Sequence, residues 1–114
     1  MDFWNTLQKL VDESEVEIDR AKESAHPRYP DYIYPFDYGY LAKTTSTDGG
    51  EIDCWVGSLG GKDVTGVIVI VDPEKRDSEI KILLGSTPKD MSTILKCHQR
   101  GAMEGLLIEK PQPS

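Results

Sequence analysis

The sequence predicts a mainly β fold, a small barrel or strongly curved sheet with a helix towards each end of the chain. Three observations lead there. The run VTGVIVIVD at residues 64–72 is apolar and β-branched up to its closing aspartate, too short for a membrane span and poorly suited to a helix, so it predicts a buried strand. Short alternating segments separated by glycine and proline turns fill the middle of the chain. Helical spacing shows only towards the two ends, and strands without interleaved helices favour a barrel or curved sheet over a βαβ fold.

Each element follows in order. Phe3, Trp4, Leu7, Leu10 and Val11 recur at helical spacing behind Asp2, a residue type suited to an N-cap, and predict an amphipathic helix over 3–11. Val16 and Ile18 alternate with Glu15, Glu17 and Asp19 as in a half-buried strand. Residues 21–30, AKESAHPRYP, are polar with two prolines and predict a loop. In YIYPFDYGYLAKTTSTDGGEIDCWVGS the TDGG segment predicts a turn between two strands, the second over 52–56. After the strand at 64–72, the charged loop PEKRDS leads into another strand, EIKILLG. The remainder, from STPKDMSTILKCHQR onward, predicts a C-terminal helix over 88–110 interrupted by Gly101 and Gly105, with PQPS as a frayed tail. A length of 114 residues suits one domain: a helix over 1–12, a barrel core over 13–86 and the helix over 88–110.

Thirteen Lys and Arg against twenty Asp and Glu give a net charge of −7, which argues against a nucleic-acid backbone or an anionic membrane as the partner. The N-terminal segment has acids where a signal peptide needs a basic start, and no stretch approaches a membrane span. Cys54 and Cys97 form neither a disulfide framework nor a zinc spacing. The expectation is a cytoplasmic protein with reduced thiols. His98, beside Cys97 in a helical stretch, reads as structural.

The acids are not evenly spread. Asp48 and Asp53 bracket a glycine turn, Asp72 ends the buried strand, and Asp77 and Glu79 follow within one loop. Carboxylates on loops at strand ends can converge on a hard divalent cation, and magnesium in particular sits on one or two carboxylates together with substrate phosphates. Tyr34, Tyr38 and Tyr40 lie close to Lys43, and their hydroxyls can donate to phosphate oxygens. Arg28, Lys43 and Lys81 are the basic residues singled out as candidates beside this group. Taken singly, each residue has a plain alternative: Asp48 as part of a turn, the loop acids as solvated charges and the tyrosines as core packing.

YPFDYGYL followed by TTSTDGGEIDCWV resembles the core of soluble family I inorganic pyrophosphatases, where a YPxNYGYI stretch precedes a T-x-x-DGDPxDV-like motif. EVEIDR resembles that family's YEIDK segment and VDPEKRDSEIK its later D…D-x-K loop, so the similarity covers residues 15–84. The resemblance implies an OB-like β-barrel that hydrolyses pyrophosphate to two phosphates with Mg2+, or Mn2+ in its place. It assigns metal binding to Asp48, Asp53, Asp72 and Glu79, catalytic work to Asp53, Tyr38 and Lys81, and substrate contacts to Arg28, Tyr34 and Glu17; Lys43, from its place beside the tyrosines, is a further candidate substrate contact.

The sequence also departs from that pattern. The aspartate that the family sets beside its nucleophilic water is Gly50 here, the lysine two residues before Glu17 is Glu15, and the family's C-terminal Tyr-Lys pair is absent around Leu106 and Leu107. The expected function is therefore a Mg-dependent pyrophosphatase acting through a metal-activated water. The alternative is a catalytically weakened or inactive module on the same fold that binds pyrophosphate or another phosphate compound. A third reading is an interaction domain that forms a homo-oligomer through the Phe3/Trp4 helix.

Overall fold

A computed structural model describes residues 2–112. The elements run α1 (Phe3–Asp12), β1 (Val16–Arg20), β2 (Asp37–Leu41), β3 (Ile52–Val56), β4 (Val64–Asp72), β5 (Asp77–Leu84), α2 (Pro88–Cys97) and β6 (Glu104–Glu109). Asp2 caps α1 as expected, its carboxylate accepting the Asn5 amide at 2.8 Å. The strand at 52–56 and the apolar strand at 64–72 fall where the sequence sets them.

The mainly β class and the flanking helices hold, but the strands form an open six-stranded sheet in the order β1-β2-β3-β5-β4-β6 rather than a closed barrel. Closure requires the two edge strands to pair, and among the described residues no ladder joins β1 to β6. Neighbours are antiparallel except β3 and β5, which run parallel with Cys54 opposite Ile82.

Strand alternation gives the sheet two apolar faces, each with its own helix. On one face Leu41, Cys54, Val64, Ile82 and Leu84 pack with Val11, Trp4 and Leu7 of α1. Gln8 anchors that helix by donating to the Lys62 carbonyl and accepting the Val64 amide. On the other face Trp55, Ile68, Ile70 and Leu83 pack against Met91 and Ile94 of α2 and against Tyr34. Ile68, Leu83 and Ile94 are fully buried, each contributing about 1.5–3 kcal/mol through the water it excludes.

One expectation is corrected. The helix predicted over 88–110 stops at Cys97, and 104–109 is a strand. Gly101 takes a left-handed φ of 58° in the reversing turn, a conformation that strongly favours glycine. The returning chain then pairs with β4, whose edge would otherwise expose the backbone of the most apolar strand.

Candidate functional site

Lys81 lies in the middle of β5, on the Trp55 face, at a strand position where its neighbours Ile82, Leu83 and Leu84 are all buried. Only 6% of it is exposed. The register brings its partners to it: β3 and β5 run parallel so that Asp53 lies beside Lys81, and the antiparallel β2–β3 pairing sets Tyr38 diagonally across from Asp53. The Lys81 ammonium donates to the Tyr38 hydroxyl at 2.8 Å and to Asp53 Oδ2 at 2.6 Å, and pairs with Glu79 Oε1 at 2.7 Å. Tyr38 in turn donates to Asp53 Oδ2 at 2.8 Å. All three ammonium hydrogens are thus engaged.

Burial alone would lower the Lys81 pKa, but the field of Tyr38 and hydrogen bonds to Asp53, Glu79 and Tyr38 outweigh it and hold the ammonium above its ordinary value. Burial raises the Tyr38 phenol, a rise that Lys81 only partly opposes and Asp53 assists. At neutral pH the cluster therefore holds a charged lysine and a protonated tyrosine. Two carboxylates against one ammonium leave one negative charge uncancelled.

Four of the residues expected at the site meet in this way: Tyr38, Asp53, Glu79 and Lys81. Tyr34 is adjacent, buried in the Trp55 core with its ring stacked 5.8 Å from that of Tyr38. Asp48 stands exposed in the 46–50 turn, where it accepts the Ser46 hydroxyl and, at 3.0 Å, the Gly50 amide. These two bonds lower its carboxyl, to which Lys81 adds the smallest of the contributions. Asp72 accepts the Glu74 and Lys75 amides at 3.0 and 3.2 Å and so caps the β4–β5 turn. Lys43 is exposed, with a left-handed φ of 61° just beyond β2. Arg28 is exposed in the 21–36 connection, and its backbone amide donates to His26 Nδ1. Glu17 is exposed on β1 opposite Tyr40, the residue that pairs with Asp53 in the next ladder.

The structure adds contacts that the sequence did not show. Trp55 Nε1 donates to His98 Nε2 at 3.0 Å, a bond only the unprotonated nitrogen can accept. Burial, then the nearby Lys81 charge, pull the His98 pKa down to about 4 against the opposing pull of Asp53. Asp90 closes a capping box with Thr87 and accepts the Ser58 amide and hydroxyl at 2.9 and 2.6 Å, fixing α2 to the loop after β3. The spacing Thr87-Pro88-Lys89-Asp90 is a legible sign of that cap; nothing local pairs Trp55 with a residue forty-three positions later.

Cavities flank the cluster. A groove of about 460 Å³ runs beside Asp53 and Glu79, lined also by Phe3, Ser46 and Ile80. A smaller space of about 220 Å³ lies against Tyr38, Trp55 and His98. A third cavity of about 790 Å³, near Gln8, Ser86 and Glu109, touches none of the cluster residues.

Asp53 and Glu79, although both paired with Lys81, are the two carboxylates of the cluster that could hold a hard cation. Asp53 Oδ1 and the second Glu79 oxygen make no hydrogen bond among the described residues, and the two side chains are 34% and 36% exposed. A pair of carboxylates with substrate oxygens and waters is the usual magnesium environment. Among the described residues no three His, Cys, Asp or Glu side chains form a group fit to hold a metal ion, so a multi-metal array is not preformed.

No family model and no curated protein matches the sequence. The fold does match solved structures. An inorganic phosphatase from Anaplasma phagocytophilum superposes with a TM-score of 0.56 at 14% identity, over 82% of this chain and 81% of that one. The inorganic pyrophosphatase of the pathogenic bacterium Helicobacter pylori gives 0.55 at 14% identity, over 82% and 81%. At that identity the likeness is one of fold.

Proposed function

We propose that this chain is a phosphoanhydride hydrolase whose substrate is inorganic pyrophosphate, with the Tyr38–Asp53–Glu79–Lys81 cluster as its active site. The observation that carries the reading is the convergence of those four side chains on a fold shared with a solved inorganic pyrophosphatase. Asp53 and Glu79 would hold a magnesium or manganese ion, which supplies charge neutralisation for the polyanion and an acidified water.

The chain's own residues do the rest. Lys81 stays charged, and release of Glu79, which unlike Asp53 shares no bond with Tyr38, frees one N–H for a phosphate oxygen of the leaving group. Tyr38 stays protonated and can turn its hydroxyl from Asp53 to the substrate. With Tyr38 turned away, Asp53 Oδ2 has room to accept from the attacking water beside its bond from Lys81, while Oδ1 would hold the cation. Arg28, Lys43 and Glu17 remain substrate contacts only if the exposed loops and β1 close over the ligand, and Asp48 and Asp72 bind metal only by leaving their own turns.

A second reading, phosphate binding with little or no turnover, draws on Gly50 and on the turn bonds that engage Asp48 and Asp72. No helix among the described residues is long and apolar enough to cross a membrane. A cytoplasmic enzyme without nucleic-acid or membrane partners agrees with the net charge of −7.

Phosphate release from pyrophosphate with magnesium or manganese distinguishes the readings. The wild type should exceed Asp53→Asn by at least about a hundredfold if Asp53 orients the water. Equal rates would refute the enzyme reading, and calorimetric binding without release would establish the second.

A further inference from the structure

β6 pairs with β4 on one side only, so it is an edge strand of the sheet. The Lys110 amide bonds the Thr65 carbonyl at 2.9 Å, in register with the β4–β6 ladder. Antiparallel alternation then turns the backbone groups of the even-numbered residues of β6 towards β4 and those of Gly105, Leu107 and Glu109 outward. The run of outward donors is bounded at both ends. The Met103 amide is spent on the Arg100 carbonyl at 2.9 Å, and Pro111 has no N–H.

The side chains along this edge are also unmet. Leu106 and Ile108 are 63% and 42% exposed, on the sheet face where Val71 and Ile80 are 52% and 48% exposed. The register makes this one patch, because Leu106 and Ile80 both pair with Val69. An open edge beside exposed apolar side chains is a template for another strand.

We infer that the occupant is a second copy of this chain, its β6 running antiparallel about a two-fold axis at Leu107. The charge pattern selects that register. It places Gly105 opposite Glu109 and Leu107 opposite its own counterpart, so all three outward donors of each copy find acceptors. It also sets Leu106 opposite Ile108 and Glu104 opposite Lys110 at both ends of the ladder. A slip of two residues either way sets an outward carbonyl of β6 opposite Met103 or Pro111, neither of which has an N–H to give, and breaks the Glu104–Lys110 match. The two sheets become one continuous sheet, and the contact is isologous, as two-fold symmetry demands. This inference is independent of the catalytic reading, since β6 carries none of the cluster residues.

Sedimentation of the full chain over a concentration series tests it. The wild type should form a dimer at micromolar concentration. Lys110→Glu and Glu104→Lys, each setting like charges opposite one another twice, should weaken the dimer at least about tenfold, equivalent to about 1.4 kcal/mol. The double reversal Glu104→Lys with Lys110→Glu should restore the wild-type constant. Hydrogen exchange at the Leu107 and Glu109 amides should be slow in the wild-type dimer and fast in either single variant. A wild type that stays monomeric, a dimer indifferent to both single reversals, or a double reversal that stays weak would overturn the proposal.

Discussion

Acidification should loosen this fold through His98. Its Nε2 accepts the Trp55 indole N–H at 3.0 Å, so a proton on that nitrogen must displace the bond inside the core. Carrying the ring from its ordinary 6.5 down to about 4 makes the folded state less stable by roughly 3 kcal/mol once the pH lies below both values. The sign follows from proton uptake: between 6.5 and about 4 the unfolded chain binds more protons than the native one, so stability falls with falling pH, and below about 4 this group adds no further loss. Asp90, whose carboxyl is held below its ordinary 3.8 by Ser58 and Thr87 against the opposing effect of burial, adds its own loss only at still lower pH. The two windows are therefore separable. Urea unfolding followed by tryptophan fluorescence should show the midpoint falling by about 1–3 M from pH 7 to pH 4. His98→Gln keeps an acceptor that does not titrate, so it should be about 1 kcal/mol less stable at pH 7 yet lose most of the slope between 6.5 and 4. An unchanged slope in His98→Gln would refute the argument.

Three further outcomes follow from the same contacts. Lys81→Met leaves Asp53 and Glu79 facing each other without their cation; because both are about one-third exposed, the cost should fall between a surface and a buried pair, about 2 kcal/mol, or roughly 10 °C in thermal midpoint. The wild type should also shed stability as pH rises above 10.5 towards the raised Lys81 value, on top of the alkaline loss from Tyr32, Tyr38 and Cys54, whose pKa values burial raises, and Lys81→Met should show a smaller alkaline loss; an identical alkaline profile would count against the buried ammonium. At Gly50 an added Cβ would meet only Asp48 Oδ1, at 3.4 Å, and φ is not left-handed, so Gly50→Asp fits and should raise phosphate release at least about tenfold by supplying the carboxylate that the resembled family sets beside its water. Asp90→Ala removes the acceptor for Ser58 and Thr87 and should destabilise thermal unfolding by about 3 kcal/mol, whereas a loss below about 0.5 kcal/mol would show that this cap does not hold α2.

Local pattern carries much of this fold. Asp2 and the helical spacing behind it mark α1, and the alternation at 52–56 and the apolar β-branched run at 64–72 mark two of the strands that position the site. β6 escapes such reading because its strand state comes from the β4 edge beside it, and the Gly101 reversal that delivers it there interrupts the helical pattern without showing where the chain goes next. The candidate site divides in the same way. Tyr38, Asp53, Glu79 and Lys81 come together because the parallel β3–β5 pairing sets the 52–56 and 77–84 strands side by side, a pairing that no spacing within either strand encodes. Asp48 and Asp72 lie at the turns that the sequence marks, yet their side chains satisfy the amides of those turns first, as short aspartates commonly do. His98 reads as structural from its surroundings and is so, but its partner Trp55 emerges only when α2 folds across the sheet.

Phosphorus NMR of pyrophosphate incubated with the wild-type chain and magnesium tests the central claim most directly, because one spectrum reports both binding and turnover. The expected result is a broadened or shifted pyrophosphate resonance that gives way to inorganic phosphate, with release abolished in Asp53→Asn while that variant keeps the wild-type circular dichroism. A pyrophosphate resonance unchanged in shift, width and intensity over the same period would contradict the assignment of the Tyr38–Asp53–Glu79–Lys81 cluster as a pyrophosphate site.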